Sequence, residues 1–289
     1  MRLTVLPEGW RLRPLVWIHR AEARSVAREL VRGGHAVDFV HHRESGIPVL
    51  PPGPLLLRLS DPVMLAAARA LTRAGRNFLG PAAAVMERCY DKYEAYRLAT
   101  ANGIACPATA PAVEAHALAF PLVVKPRAGS DSIGVRVLQN GPIPPSVQSG
   151  EFIAQERIRG QELTVGIIRQ QAGLPLRILL PEGTPYSFAR KYLLRPAREV
   201  VTDGALAERA RTTALGIARL FEINWAARVD FIYEPRSDRL FFLECDAAPL
   251  VGSASAFAAS LAAAGITHAE QLRLLLDEAS YAGRSTRRL

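Results

Sequence analysis

Cysteine is scarce in this chain. The three present, Cys89, Cys106 and Cys245, lie far apart in sequence and form no CxxC pair, so they fit reduced packing residues better than a disulfide framework. The six histidines show no HExxH or comparable metal spacing. No apolar run is long enough to span a membrane, and Met1 to Leu6 lack the hydrophobic core and cleavage site of a signal peptide. No membrane partner is expected, and a cytoplasmic location is. Acidic residues are outnumbered, 27 against 36 Lys and Arg, giving a net charge of +9 and a pI near 10. The excess is spread as single arginines among alanines, and only Arg284 to Arg288 forms a terminal basic patch. No nucleic-acid motif or aromatic stacking series accompanies the charge, so nucleic acid is not an expected partner. A site for phosphates and carboxylates would account for part of it.

At 289 residues, 49% hydrophobic and 22% charged, the chain has the size and composition of a globular protein of one large or several small domains. Strand-like Leu15 to Ile18, helical Ala21 to Val31, strand-like Ala36 to Val40 and Leu55 to Leu59, and helical Pro62 to Ala74 predict a small open parallel sheet. Met86 to Asn102 reads as one helix ended by Gly103. From Pro121 the pattern shifts to strands and turns, with Leu122 to Lys125, Val135 to Leu138, Phe152 to Gln155, Leu163 to Ile168 and Arg177 to Leu180. Helices are expected at Ala205 to Phe221, Ser253 to Ala264 and Ala269 to Ala279, before a loose tail from Gly283. The fold class is α/β (α+β), with domains expected at 1–85, 86–155 and 156–289.

The most informative stretches are Ala227-Arg228-Val229-Asp230-Phe231 and Leu243-Glu244-Cys245-Asp246. In an antiparallel hairpin residues two apart share a face, so Arg228 and Asp230 point one way, as do Glu244 and Asp246. A five-residue turn, Glu234 to Asp238, with Tyr233 opposite Arg239, puts both sets on one face. Three crowded carboxylates repel one another and are costly to desolvate. A hard divalent cation shared with substrate phosphates resolves that cost; a solvated hairpin with incidental charges is the alternative.

Six motifs occur in a telling order. Asp91-Lys92-Tyr93 stands twelve residues before Gly103-Ile104-Ala105-Cys106-Pro107. Pro121-Leu122-Val123-Val124-Lys125-Pro126 leads to the loop Gly129-Ser130-Asp131-Ser132-Ile133-Gly134, whose small residues expose backbone N–H groups suited to phosphate oxygens. Then follow Gln155-Glu156-Arg157-Ile158-Arg159-Gly160-Gln161-Glu162, Tyr186 to Tyr192, the acidic hairpin, and Pro249 to Ser255. In this order, over roughly residues 77 to 275, they resemble the ATP-grasp superfamily, specifically carboxylate–amine ligases of the D-alanine:D-alanine ligase type.

The resemblance implies an ATP-grasp fold behind a small N-terminal parallel-sheet domain, and an ADP-forming reaction through an acyl phosphate. It implies ATP and two magnesium ions, with manganese an alternative, small-molecule carboxylate and amine substrates, and a homodimer. ATP would be met by Lys92, Lys125, Ser130, Ser132, the segment Glu156, Arg157 and Ile158, and Glu162 at the ribose. Asp230, Glu244 and Asp246 would be the metal ligands. Arg228 would stabilise the developing negative charge, and Lys191 would neutralise the γ-phosphate from a covering loop. Asp131, Tyr192, Leu250 and Gly252 would border the substrate pocket. Ser255 would present a hydroxyl and a helix N-terminus to the second substrate's carboxylate, or serve simply as an N-cap.

Departures from the family pattern fall on the substrate side. The N-terminal GGxSxE and HGxxGEDG segments are missing, and His19-Arg20-Ala21-Glu22 occupies the first turn. Asp131 replaces the first serine of a pair, Leu250 a glycine and Asp246 an asparagine. Nucleotide chemistry is therefore expected to be retained and substrate recognition remodelled, with Asp131 meeting a substrate amine or Arg127. The alternatives are an ATP-grasp ligase of secondary-metabolite or cofactor synthesis, and a nucleotide-binding regulatory protein without turnover.

Overall fold

The computed structural model describes residues 1–7, 14–41, 51–129, 133–179, 197–277 and 281–282. Three sheets form in chain order. The first is built from β1 (Arg2–Pro7), β2 (Ala36–Phe39), β3 (Leu55–Arg58) and β4 (Phe78–Leu79), which run parallel, with α1 (Pro14–Arg32) and α2 (Asp61–Arg73) as connections. Leu55 and Leu57 face Met64, Ala68 and Leu71 of α2, whereas Leu56 faces Val26 and Leu30 of α1, the two-sided burial that a parallel sheet requires. The expected strand at Leu15 to Ile18 is instead the first turn of α1. A four-residue apolar run has no periodicity of its own, and here it continues the helical pattern that follows. The first strand is Arg2–Pro7, whose apolar run Leu3 to Leu6 carried the same signal.

The expected single helix from Met86 to Asn102 is two, α3 (Ala83–Tyr90) and α4 (Lys92–Ala101). Asp91 divides them because its carboxylate accepts the N–H groups of Tyr93 and Glu94, capping α4. Gly103, at φ +75°, then ends α4 as expected. The second sheet holds β5 (Thr109–Pro111), β6 (Leu122–Pro126), β7 (Arg136–Leu138) and β8 (Phe152–Glu156) in the order β5-β8-β6-β7. β6 and β7 pair antiparallel around the glycine loop, as predicted.

The third sheet comprises β9 (Gln161–Ile168), β10 (Gln171–Ala172), β11 (Leu176–Ile178), β12 (Arg198–Val200), then, after α5 (Gly204–Leu220), β13 (Ala226–Glu234) and β14 (Arg239–Asp246). Its spine is β12-β11-β9-β13-β14, all antiparallel. One face, with Leu163, Val165, Val229, Phe231 and Phe242, packs on Ala210, Ala214 and Ile217 of α5. The opposite face carries Glu162, Thr164, Arg228 and Asp230, while Ile168 and Ala226 at its end pack with Phe257 and Ala258. After it come α6 (Ala256–Ala263) and α7 (His268–Leu276), and a short β15 (Tyr281–Ala282) returns to pair antiparallel with β4. Phe257, Leu261, Leu272 and Leu275 complete the core around α1, tying the first sheet to the end of the chain.

Candidate active site

The polar face of the third sheet is assembled by register. Thr164 of β9 lies opposite Asp230 of β13, Gly166 opposite Arg228 and Glu162 opposite Ile232. Gly166 is required there because a Cβ would come within 2.6 Å of the Phe257 carbonyl on α6. Across β13, Asp230 pairs with Glu244 and Arg228 with Asp246, so arginine and all three carboxylates share a face, as expected.

The route to that arrangement differs from the sequence reading. Glu234 pairs with Arg239 across a four-residue turn, a register that would have set Leu243 opposite Asp230 and turned Glu244 to the core. A β-bulge between Phe231 and Asp230 absorbs Leu243 and restores the facing.

Arg228 sits at the centre. Its Nε is 3.1 Å from Asp230 Oδ1, and its Nη2 is 3.8 Å from Glu244 and 3.7 Å from Asp246. Burial opposes its charge, but Asp230, Asp246 and Glu244 outweigh that and push its pKa well up. Thr164 donates to Asp230 at 2.6 Å, and Asp246 accepts the Ala248 N–H at 2.9 Å. The three carboxylates gather around the guanidinium, and among the described residues no group of His, Cys, Asp or Glu is arranged as a ready-made metal site. Their chemistry, three partly exposed oxygen donors, nonetheless suits a hard divalent cation. A shallow depression opens on this face, lined by Glu162, Thr164, Ile178, Arg228, Asp230 and Ala256.

Lys125 approaches from the second sheet. It is 6% exposed, and its Nζ donates to the Tyr96 hydroxyl at 2.8 Å and to Gln155 at 3.0 Å, 5.2 Å from the Tyr96 ring centre. Burial pulls its pKa down to about 8, with Glu244 and Glu162 pulling the other way. Tyr96 in turn donates to the carbonyl of Leu243, the bulge residue. The lysine strand and the carboxylate hairpin are thereby joined through one hydroxyl, and Gln155 is held by donating to Thr109 at 2.9 Å.

Lys92 begins α4 and donates to the Gly129 carbonyl at the edge of the glycine loop. Ser130, Asp131, Ser132, Lys191 and Tyr192 lie outside the described residues. Arg127, a suggested partner for Asp131, pairs with Asp91 at 2.7 Å and Glu94 at 3.4 Å. The N–H groups of Glu156 and Arg157 are bonded to Ala108 and Pro121. Ser255 is the N-cap of α6, accepting the Ala258 N–H at 3.0 Å. Leu250 and Gly252 lie in the loop between β14 and α6, where Gly252 N–H donates to Glu22 at 3.1 Å.

Tyr96, Thr164, Gln155, Glu22 and Arg58 were not singled out as site residues from sequence. Thr164 stands two from Glu162 on the same strand and Tyr96 four from Lys92 on the same helix, which were usable signals.

A family model described as D-ala D-ala ligase C-terminus matches residues 93–277, more than half of the chain. The chain belongs to this family. Among curated members, the D-alanine–D-alanine ligase of Gluconobacter oxydans is 31% identical over 177 residues, 57% of this chain and 58% of that protein. The Xylella fastidiosa ligase is 33% identical over 141 residues, 46% of each. The chain thus spans about half the length of the curated relatives it matches. The Bacillus anthracis D-alanine–D-alanine ligase structure superposes with a TM-score of 0.78 at 20% identity, covering 96% of this chain and 97% of that one; its complex with ATP superposes equally well. That likeness establishes the ATP-grasp fold expected from the motifs. The D-ala D-ala ligase family match covers α4 through α7, and so includes Lys125, the hairpin and Ser255.

Proposed function

We propose that the chain is an ATP-dependent, ADP-forming carboxylate–amine ligase joining two amino acids, or an amino acid and an amine. The observation that carries this reading is the buried Arg228 among three carboxylates, with Lys125 held beside Glu244 through Tyr96. Binding alone has less need of a charge-stabilising arginine, which weighs against a regulatory protein without turnover.

In this reading ATP lies between the second and third sheets. Lys125 and Lys92 meet its phosphates together with the glycine loop bearing Ser130 and Ser132. Glu162 accepts from the ribose hydroxyls, and the adenine edge falls to Ile158, because the amides of Glu156 and Arg157 are already engaged. Asp230, Glu244 and Asp246 would hold magnesium, which would supply positive charge to offset that of the phosphates. The substrate carboxylate attacks the γ-phosphorus in line, forming an acyl phosphate as the bond to ADP breaks. The amine then attacks the acyl carbon and loses a proton, and phosphate leaves. Arg228 stabilises the oxyanion formed on the way. Ser255 acts by capping α6, whose N-terminus offers backbone N–H groups to the second substrate's carboxylate.

Pairs of D- and L-amino acids, screened for ADP release with product mass measured, test the reading. ADP and phosphate in equal amounts with a product one water lighter than the two substrates together are expected. ADP release indifferent to every pair would overturn it.

A further inference from the structure

Two charged side chains outside the nucleotide cleft converge on the loop that follows the hairpin. Arg58 ends β3 within the apolar run Leu55 to Leu59, and its side chain is 0% exposed; that of Glu22, in mid-α1, is 8% exposed. They pair through two bonds, 2.9 and 3.0 Å. Arg58 also donates to the Pro249 carbonyl at 3.0 Å, and Glu22 accepts the N–H groups of Val251 at 2.8 Å and Gly252 at 3.1 Å. One ion pair thereby fixes three backbone groups within four residues.

Burying a guanidinium is costly even when it is paired, and an apolar pair of similar volume would fill the same space at less cost. What an apolar pair lacks is the ability to hold backbone N–H and C=O groups in place. The loop so held begins just beyond Asp246, which faces Arg228, and ends at Ser255 and Ala256, where α6 meets the cleft. Fixing it fixes the distance between the carboxylates and the N-terminus of α6.

We infer that Glu22 and Arg58 are positioning residues: through this buried pair the first sheet and its helix hold the loop Pro249 to Gly252, and with it the amino-acid end of the cleft, in register for ligation. The inference rests on the ligase reading. Its signature is selective, because both side chains bond to each other and to the loop backbone, so nucleotide binding is spared.

The test uses the full chain, Glu22→Gln, and the double variant Glu22→Met with Arg58→Met, which leaves neither charge buried alone. Three quantities are measured: ADP release against the concentration of an equimolar pool of D- and L-amino acids at saturating magnesium–ATP, affinity for a non-hydrolysable ATP analogue, and deuterium exchange of the peptide spanning 249–253. The expected result is a rise of about tenfold or more in half-saturating amino-acid concentration, from loss of substrate positioning. Analogue affinity stays within about twofold of wild type, and the loop exchanges faster. Unchanged half-saturation, or parallel loss of nucleotide affinity, would overturn the assignment, as would failure of both variants to fold, which marks the pair as structural only. A wild type whose ADP release ignores the pool would remove the ligase reading and this inference together. A wild type that responds, matched by its variants, removes this inference alone.

Discussion

Lys125 carries its charge against burial, which brings its pKa to about 8. In the unfolded chain a lysine keeps its proton to about pH 10.4. Between those values the folded protein binds fewer protons than the unfolded one, so stability rises with pH across that window. Phosphate binding needs the ammonium, so nucleotide affinity falls over the same rise. Lys125→Met should flatten both dependences, checked by urea unfolding and nucleotide titration from about pH 7 to 10.5. Arg228→Met strands three carboxylates around a missing charge. It is expected to cost about 3–5 kcal/mol of stability and about 10²–10³ in kcat, measured by urea unfolding and by ADP release. At this scale the chemistry was readable, because acid pairs on alternating positions and a lysine inside an apolar strand are uncommon. Glu22 and Arg58 were not legible as partners. Arg58 in an apolar run signalled a buried charge in need of a counter-ion, but nothing local named one 36 residues away.

Among elements, the hairpin shows what periodicity alone leaves open. Alternation placed the four charged groups on one face, yet the turn is a residue shorter than expected and the outcome depends on the bulge at Leu243. Bulges carry no strong local signal, whereas the facing of side chains does. The carbonyl of the bulge residue is the one that Tyr96 holds. Tyr96→Phe removes that bond and a partner of Lys125, leaving buried polar groups unmet. A loss of about 1–3 kcal/mol is expected by denaturant unfolding. Asp91 is a second junction, capping α4 and pairing with Arg127. Burial raises its pKa, but Arg127 and the capped N–H groups outweigh that and hold it below the usual carboxylate value. Its stabilisation is therefore present above about pH 4, the unfolded value, and lost as pH falls through the lower folded one. Asp91→Ala should cost about 0.5–2 kcal/mol at neutral pH from the cap, with little more from an ion pair that is a third exposed. Its stability curve should be flatter on the acid side.

At the scale of the molecule, the parallel first sheet and the antiparallel hairpins β6-β7 and β13-β14 followed from sequence. The joints between them did not. The core shared by α1, α6 and α7, and the return of β15 to β4, join segments far apart in sequence, with burial decided by partners that the local pattern cannot name. The link of Lys125 to the hairpin through Tyr96 is such a joint, and the proposed nucleotide site stands or falls with it. Calorimetric titration of magnesium–ATP into the full chain measures it directly. The account predicts one site, abolished by chelating magnesium and weakened at least about tenfold in Lys125→Met, the scale of a charge-assisted bond. Equal affinity in wild type and Lys125→Met, or binding that ignores magnesium, would contradict it.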